Sequence, residues 1–346
     1  MTASILVVGG YGAVGRALCR DLAAHGHLPV IAGRHPEKGA ELAHGLGTTC
    51  RRLDIGDPCS WPPALEGIDM VVMCIDQAGT DLAGHLFERG IHYVDLTATD
   101  SFFRALEALP RPGRSSGLLS VGLAPGLTNM LAAALAATFE TPTRLDIGLL
   151  FGLGDVHGSA GLDWMAGRIF DPDRPRDGRL VDFGRPWGPR KAHVVDFSDQ
   201  HALARSLPSA LVATRVAFDS RLATAALFGT ANRFGRSATL RRLVRRSFSA
   251  IRLGSRAVNV TVEASGLREG VPHRAAVRFR GEDESRITGR LASLMVRSFL
   301  ATPPRAGIIG HSHEILDGPR FLAAIKAEAI GEIEWLAPRP VPACAR

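Results

Sequence analysis

The sequence predicts an α/β fold: a doubly wound parallel sheet in the first third, then an α+β domain with a mixed or antiparallel sheet. Three observations carry this. A fully apolar stretch at residues 4–8 runs straight into a glycine-rich loop and then a helical pattern. Short apolar runs then alternate with helical segments up to about residue 124. After Pro125-Gly126 the apolar residues alternate instead, at Leu145, Ile147, Leu149 and Phe151. The 346 residues, 46% of them apolar, suffice for two domains.

In chain order, strands are expected at residues 4–8, 28–32, 50–53, 70–74, 92–96 and 117–121, closing a domain over 1–124. A second domain over 125–317 begins with a helix at 127–139. It includes a hairpin in which Val258, Val260 and Val262 pair with Ala275, Val277 and Phe279 through a turn at Glu269-Gly270. A helix at 285–300 is assigned to this second domain. The helix at 318–330 is read as returning to the first, and the Pro/Arg-rich stretch 171–190 as a surface loop or lid.

The net charge is +7, but nine arginines between Asp219 and Glu263 meet no acid, and without those nine the rest of the chain stands at −2. The basicity is therefore a local patch, and with 6% aromatic residues it argues against a nucleic-acid partner. Over 233–256, Leu240, Leu243, Val244, Phe248 and Ile251 recur at helical spacing among Arg241, Arg242, Arg245 and Arg246. The pattern is that of a solvated helix, or of one that meets an acidic carrier protein or an anionic membrane surface. Five cysteines without a C-x-x-C, no long apolar span and no signal-peptide pattern point to the cytoplasm.

Gly10-Tyr11-Gly12-Ala13-Val14-Gly15 joins the first strand to its helix. Gly10 makes the tight turn, Gly12 admits a pyrophosphate to the backbone, and Gly15 lets helix pack on strand, which is the dinucleotide pattern of a Rossmann domain. The second strand ends Gly33-Arg34-His35 with no carboxylate for a ribose hydroxyl. Arg34, with Lys38 beyond it, suits a 2′-phosphate, so NADP(H) is the expected cofactor. Asp54 is placed for the adenine region or for capping a turn. Cys74 to Gln77, Ile75 among them, and Asp95 to Thr97 are expected to border the nicotinamide, since ligands of such sheets sit at the carboxyl ends of the strands.

No Tyr-x-x-x-Lys, Gly-x-Ser-x-Gly or His-Glu-x-x-His is present, and no metal site is expected: His311-Ser312-His313 reads as a loop. Asp76, if burial raises its pKa, and His157 are the candidate proton donors. Asp95 is read as bracing its strand end.

Gly9-Gly10-Tyr11-Gly12-Ala13-Val14-Gly15, Gly33-Arg34, His92-Tyr93-Val94-Asp95-Leu96-Thr97 and Gly122-Leu123-Ala124-Pro125-Gly126-Leu127-Thr128-Asn129 resemble the saccharopine dehydrogenase (reductase)-like proteins. The likeness is specific to about residue 135 and looser through Gly154-Asp155 and His157-Gly158 to Trp164. It implies substrate held near Pro125, Gly126, Asn129 and Trp164, and a second-domain sheet that often builds a homodimer. The implied reaction is NAD(P)-dependent reduction of an imine, or in some relatives of a C=C bond in a lipid-like substrate. The chain departs from the family in its short length and in Ile75-Asp76-Gln77-Ala78, which replaces a frequent Gly-Pro-Tyr. The expected activity is NADPH-dependent reduction of an imine or carbonyl of a small biosynthetic intermediate. The alternatives are an enoyl reductase on a lipid- or carrier-bound substrate and a non-catalytic NADP-binding scaffold.

Overall fold

The structure, a computed structural model, describes residues 3–110, 113–154, 159–234, 254–304 and 306–340. The chain divides into two compact units, Met1–Leu127 with Ser285–Ala324, and Thr128–Glu284 with Ile325–Arg346.

The first unit is built on a parallel sheet of seven strands. They are β1 (Ile5–Val8), β2 (Val30–Gly33), β3 (Cys50–Arg52), β4 (Met70–Met73), β5 (His92–Asp95), β6 (Gly117–Leu119) and β13 (Ile309–His311). Their order across the sheet is β13-β6-β5-β4-β1-β2-β3, every pair parallel. The chain runs one way from β1 through β2 to β3 and the other way from β4 onward, so the winding reverses between β1 and β4, where ligands of such sheets bind. Helices α1 (Ala13–Ala24), α2 (Ala40–Leu46), α3 (Trp61–Ala64), α4 (Asp81–Glu88) and α5 (Asp100–Glu107) connect the strands. β1 and β4 are buried throughout, as their unbroken apolar sequences require.

The second unit carries a mixed sheet of order β14-β12-β11-β7-β10-β9-β8. Its strands are β7 (Thr141–Phe151), β8 (Gly178–Asp182), β9 (Pro189–Val194), β10 (Leu211–Phe218), β11 (Ala257–Arg268), β12 (Val271–Glu282) and β14 (Glu332–Pro340). Only β7 and β10 run parallel within it. The β11–β12 hairpin closes through Glu269 and Gly270, both at positive φ (51° and 72°), as a two-residue turn flanked by Arg268↔Val271 requires. Helices α6 (Thr128–Ala136), α7 (Ser159–Ile169), α8 (Ser198–Ser206) and α9 (Arg221–Phe234) complete this unit.

Two expectations are corrected here. The stretch 171–190 is not a plain surface loop or lid: it contains β8 and the start of β9, with Val181 and Phe183 buried. The helix expected at 285–300 forms as α10 (Glu284–Ala301) but belongs to the first unit from Ser285 onward. Gly289 of α10 lies so close to α1 that a Cβ there would meet the Ala17 Cβ at 2.6 Å and the Val14 carbonyl at 2.7 Å. Arg290 Nε reaches Asp21 Oδ1 at 3.2 Å, and Phe299 stacks edge-on to His92. The later segment also supplies β13 and α11 (Ser312–Ile315), where His311 links Ser120 Oγ (2.8 Å) to Glu107 Oε1 (2.8 Å). The last helix, α12 (Gly318–Ala327), joins the first unit as far as Ala324.

Candidate cofactor and active site

The glycine loop has the geometry its sequence demands. Gly9 sits at φ +80°, a backbone conformation costly for any other residue. A Cβ on Gly10 would meet the Val7 carbonyl at 3.0 Å and Ile31 at 3.1 Å, and one on Gly15 would strike the Gly9 carbonyl and the Gly10 backbone. These two positions are closed by the protein itself. Gly12 is different: it is exposed, and a Cβ there would touch nothing but the Gly9 carbonyl at 3.2 Å. It is the N-cap of α1, with no side chain capping the helix and no acid in the first turn. An open helix N-terminus behind an accessible glycine is the arrangement that accepts a pyrophosphate, so the residues present fit a dinucleotide.

Beyond β2, Arg34 and Lys38 are both exposed. Tyr11 braces this segment: its hydroxyl accepts the His35 N–H at 3.2 Å, and its ring covers Gly33, where a Cβ would fall 2.6 Å from the ring. Arg16 ties the two loops together, donating from Nε to the Tyr11 carbonyl (2.8 Å) and from Nη2 to the Lys38 carbonyl (3.3 Å). Asp54 closes a local turn, its carboxylate accepting the Gly56 N–H at 3.0 Å. Ala13 is exposed and Val14 half-buried in the first turn of α1.

At the end of β4 the chain passes directly under the glycine loop. A Cβ on Gly9 would fall 2.5 Å from the Ile75 side chain and 3.3 Å from the Cys74 carbonyl. Burial pushes the Cys74 thiol well up, which leaves it protonated and inert near neutral pH. Asp76 is exposed. The burial expected to raise its pKa is therefore absent: β4 ends at Met73, three residues before it.

The buried acid is Asp95, 0% exposed at the end of β5. Burial lifts its carboxyl to about 6 against the pull of hydrogen bonds from Tyr93 and Thr97, and the charge of Asp76 lifts it further. The Thr97 N–H donates to Oδ1 at 2.6 Å, so Asp95 does brace the strand end. Oδ2 receives the Tyr93 hydroxyl and, at 3.1 Å, Gln77 Nε2, which also donates to Tyr93 Oη at 2.7 Å. Tyr93 is fully buried. Sequence reasoning bordered the site with Gln77 but missed Tyr93. The signal was there: residues two apart on a strand share a face, so Tyr93 and Asp95 had to lie side by side.

Of the expected substrate residues, Pro125 and Gly126 are buried in the first unit, Gly126 at φ +134°. Asn129 is buried on α6, and Trp164 on α7 stacks edge-on to Phe197 with ring centroids 4.8 Å apart. Both belong to the second unit. His157 and the arginine-rich run 235–253 lie outside the described residues; of the expected 233–256 helix, Arg233 and Phe234 end α9.

A parallel sheet, its glycine loop at the reversal of winding and a basic second-strand end define the class: a doubly wound dinucleotide-binding fold whose residues suit NADP(H). Residues 5–115 match the family model "Saccharopine dehydrogenase NADP binding domain". Over 72 residues the chain is 38% identical to Prestalk A differentiation protein A of Dictyostelium discoideum, a match covering 20% of this chain and 24% of that protein. The chain thus spans about a quarter of that curated relative's length. The whole fold is similar to the apo, histidine-tagged saccharopine dehydrogenase (L-Glu forming) of Saccharomyces cerevisiae. The TM-score is 0.64 at 12% identity, covering 98% of this chain and 100% of that one. The C. glutamicum DAP dehydrogenase in complex with DAP aligns over 94% of this chain and 99% of its own at 14% identity, with a TM-score of 0.48. Among the described residues no helix is long and apolar enough to cross a membrane.

Proposed function

We propose that the chain is an NADPH-dependent reductase acting on the C=N bond of a small intermediate. The bound nicotinamide supplies the hydride. The chain's own residues divide the remaining work. Gly12 and the α1 N-terminus would hold the pyrophosphate on a loop whose shape Gly10 and Gly15 permit, and Arg34 with Lys38 would hold the 2′-phosphate by charge-assisted contacts. Asp76 and Asp95 border the reacting end.

The observation that carries the choice of an imine is the state of the two carboxyls. Asp95 is enclosed by Tyr93, Gln77 and the Thr97 N–H, all of which donate to it, so its oxygens are engaged as acceptors and it offers no proton to a substrate. Asp76 is exposed, and its charge is felt at Asp95. An exposed negative charge attracts a protonated imine, which needs hydride alignment more than an acid. A neutral ketone gains nothing from it and needs a proton donor within hydrogen-bond reach. His157 is the second candidate for that donor, from its place in the sequence.

The test is NADPH oxidation with a cyclic imine and the matching cyclic ketone. The imine is expected to be turned over with a kcat/KM at least about tenfold higher, and Asp76→Asn to lose about tenfold on the imine, chiefly in KM. Arg34→Ala is expected to weaken NADPH by about tenfold or more and leave NADH nearly unchanged. A ketone preferred over the imine overturns the reaction assigned. Full activity in both Asp76→Asn and His157→Ala removes those two from it.

A further inference from the structure

The segment that follows β4 contains a polar atom that the folded chain leaves unanswered. Gln77 is held at its nitrogen end, because Nε2 donates both to Tyr93 Oη (2.7 Å) and to Asp95 Oδ2 (3.1 Å). A carboxylate accepts and does not donate, so these partners fix which end of the amide faces inward. The other end, Gln77 Oε1, is buried and has no hydrogen-bond partner. A buried carbonyl oxygen without a donor is costly, and such orphans in folded proteins mark a missing partner.

Its surroundings say what that partner is. Gln77 lies two residues beyond Ile75, which packs directly against Gly9 of the glycine loop. A dinucleotide with its pyrophosphate on that loop would lie at the carboxyl ends of β1 and β4, the region that Gln77 follows in the chain. Carboxyl groups stand on either side of Gln77, in Asp76 next to it and in Asp95 bonded to it. An acceptor in that setting calls for an N–H and repels phosphate or carboxylate. The nicotinamide end of the cofactor carries one such group, its carboxamide NH2.

We propose that Gln77 Oε1 accepts the carboxamide N–H of the nicotinamide, so that the Asp95–Tyr93–Gln77 network fixes the rotation of the ring. This rests on the cofactor reading above. It assigns a task to a residue that stands in place of the Gly-Pro-Tyr frequent among the proteins this sequence resembles. The chain of support is continuous: Asp95 is set by the Thr97 N–H, Tyr93 and Gln77 are set by Asp95, and Gln77 is left with its amide oxygen unanswered. Gln77 is the binding residue; Asp95 and Tyr93 are positioning residues behind it.

The experiment is a binding titration, independent of turnover, comparing NADP+ with its 3-acetylpyridine analogue, in which the carboxamide NH2 is replaced by a methyl group. The intact chain is expected to bind the analogue about five- to tenfold more weakly, the worth of one hydrogen bond. In Gln77→Met, which keeps length and removes the acceptor, that discrimination is expected to vanish through weaker NADP+ binding, with a thermal melt confirming that the variant is folded. An unaltered chain that binds both forms equally overturns the assignment without reference to any variant. So does a Gln77→Met chain that still discriminates. A defect of Gln77→Met confined to the KM of the imine, with NADP+ affinity unchanged, overturns it in favour of a substrate N–H as the partner. Failure to bind either form is a failure of the cofactor reading itself, and takes this inference with it.

Discussion

Asp95 shows how a single residue couples the site to stability. Its carboxyl moves from the ordinary 3.8 to about 6 on folding because burial outweighs its hydrogen bonds. Between those values the folded chain binds more protons than the unfolded one, so this group's contribution falls as pH rises from about 4 to about 6. Above that range the folded state carries the full cost of a buried charge, about 3 kcal/mol. Asp95→Asn removes the titration while keeping an oxygen for the Thr97 N–H. The stability of Asp95→Asn relative to the parent is therefore expected to improve by about 2 kcal/mol between pH 4 and pH 7, read from urea midpoints at each pH. A difference that stays flat across this range contradicts a raised Asp95. The glycine loop was legible in the sequence because each glycine answers to neighbours a few residues away. The acid was not: Asp76 and Asp95 both follow apolar strands, and which one is buried depends on where β4 leaves the sheet.

At the scale of elements, six of the seven strands of the first sheet were readable to within a residue or two, most plainly β1 and β4, since a strand buried on both faces writes an unbroken apolar run. β8, β9, β10, β13 and β14 escaped. β14 is largely exposed, β13 has only three residues, and β8 sits within a Pro/Arg-rich stretch, so none shows a clear period. α10 was recognised as a helix and assigned to the wrong unit, because helical spacing says which face is buried and not against what. Gly289 held the missing information. A glycine inside a helix costs about 1 kcal/mol relative to alanine, and here it admits the backbone of α1. Gly289→Val is expected to push α10 off α1, lowering stability by about 1–3 kcal/mol. The first turn of α1 carries the cofactor loop, so NADPH affinity should fall with it. A melting temperature and a cofactor Kd both equal to the parent's would mean that the close approach of the two helices matters to neither.

The chain as a whole enters its first unit twice. Residues 1–127 make six of the seven parallel strands, but 285–324 return to add β13 beside β6 and α10 against α1. A boundary drawn along the sequence at the Pro125-Gly126 turn therefore cuts through a folded unit. Without the returning segment, β6 becomes an unprotected edge strand, Gly117 loses its contact with Ile309, and the apolar face of α10 that holds Phe299 is no longer supplied. Ser120 loses His311, its hydrogen-bond partner at 2.8 Å, in the turn that leads to Gly122 and Gly126. A fragment of residues 1–127 is accordingly expected to melt without cooperativity and to bind NADPH weakly, even though it contains the entire glycine loop together with Arg34, Gln77 and Asp95. Joining 1–127 to 285–324 through a flexible linker is expected to restore a cooperative melt and most of the NADPH affinity. If the short fragment alone melts cooperatively and binds NADPH as the full chain does, the returning segment is an ornament of this sheet. If only the joined form does so, cofactor binding depends on a segment more than 150 residues further along the chain.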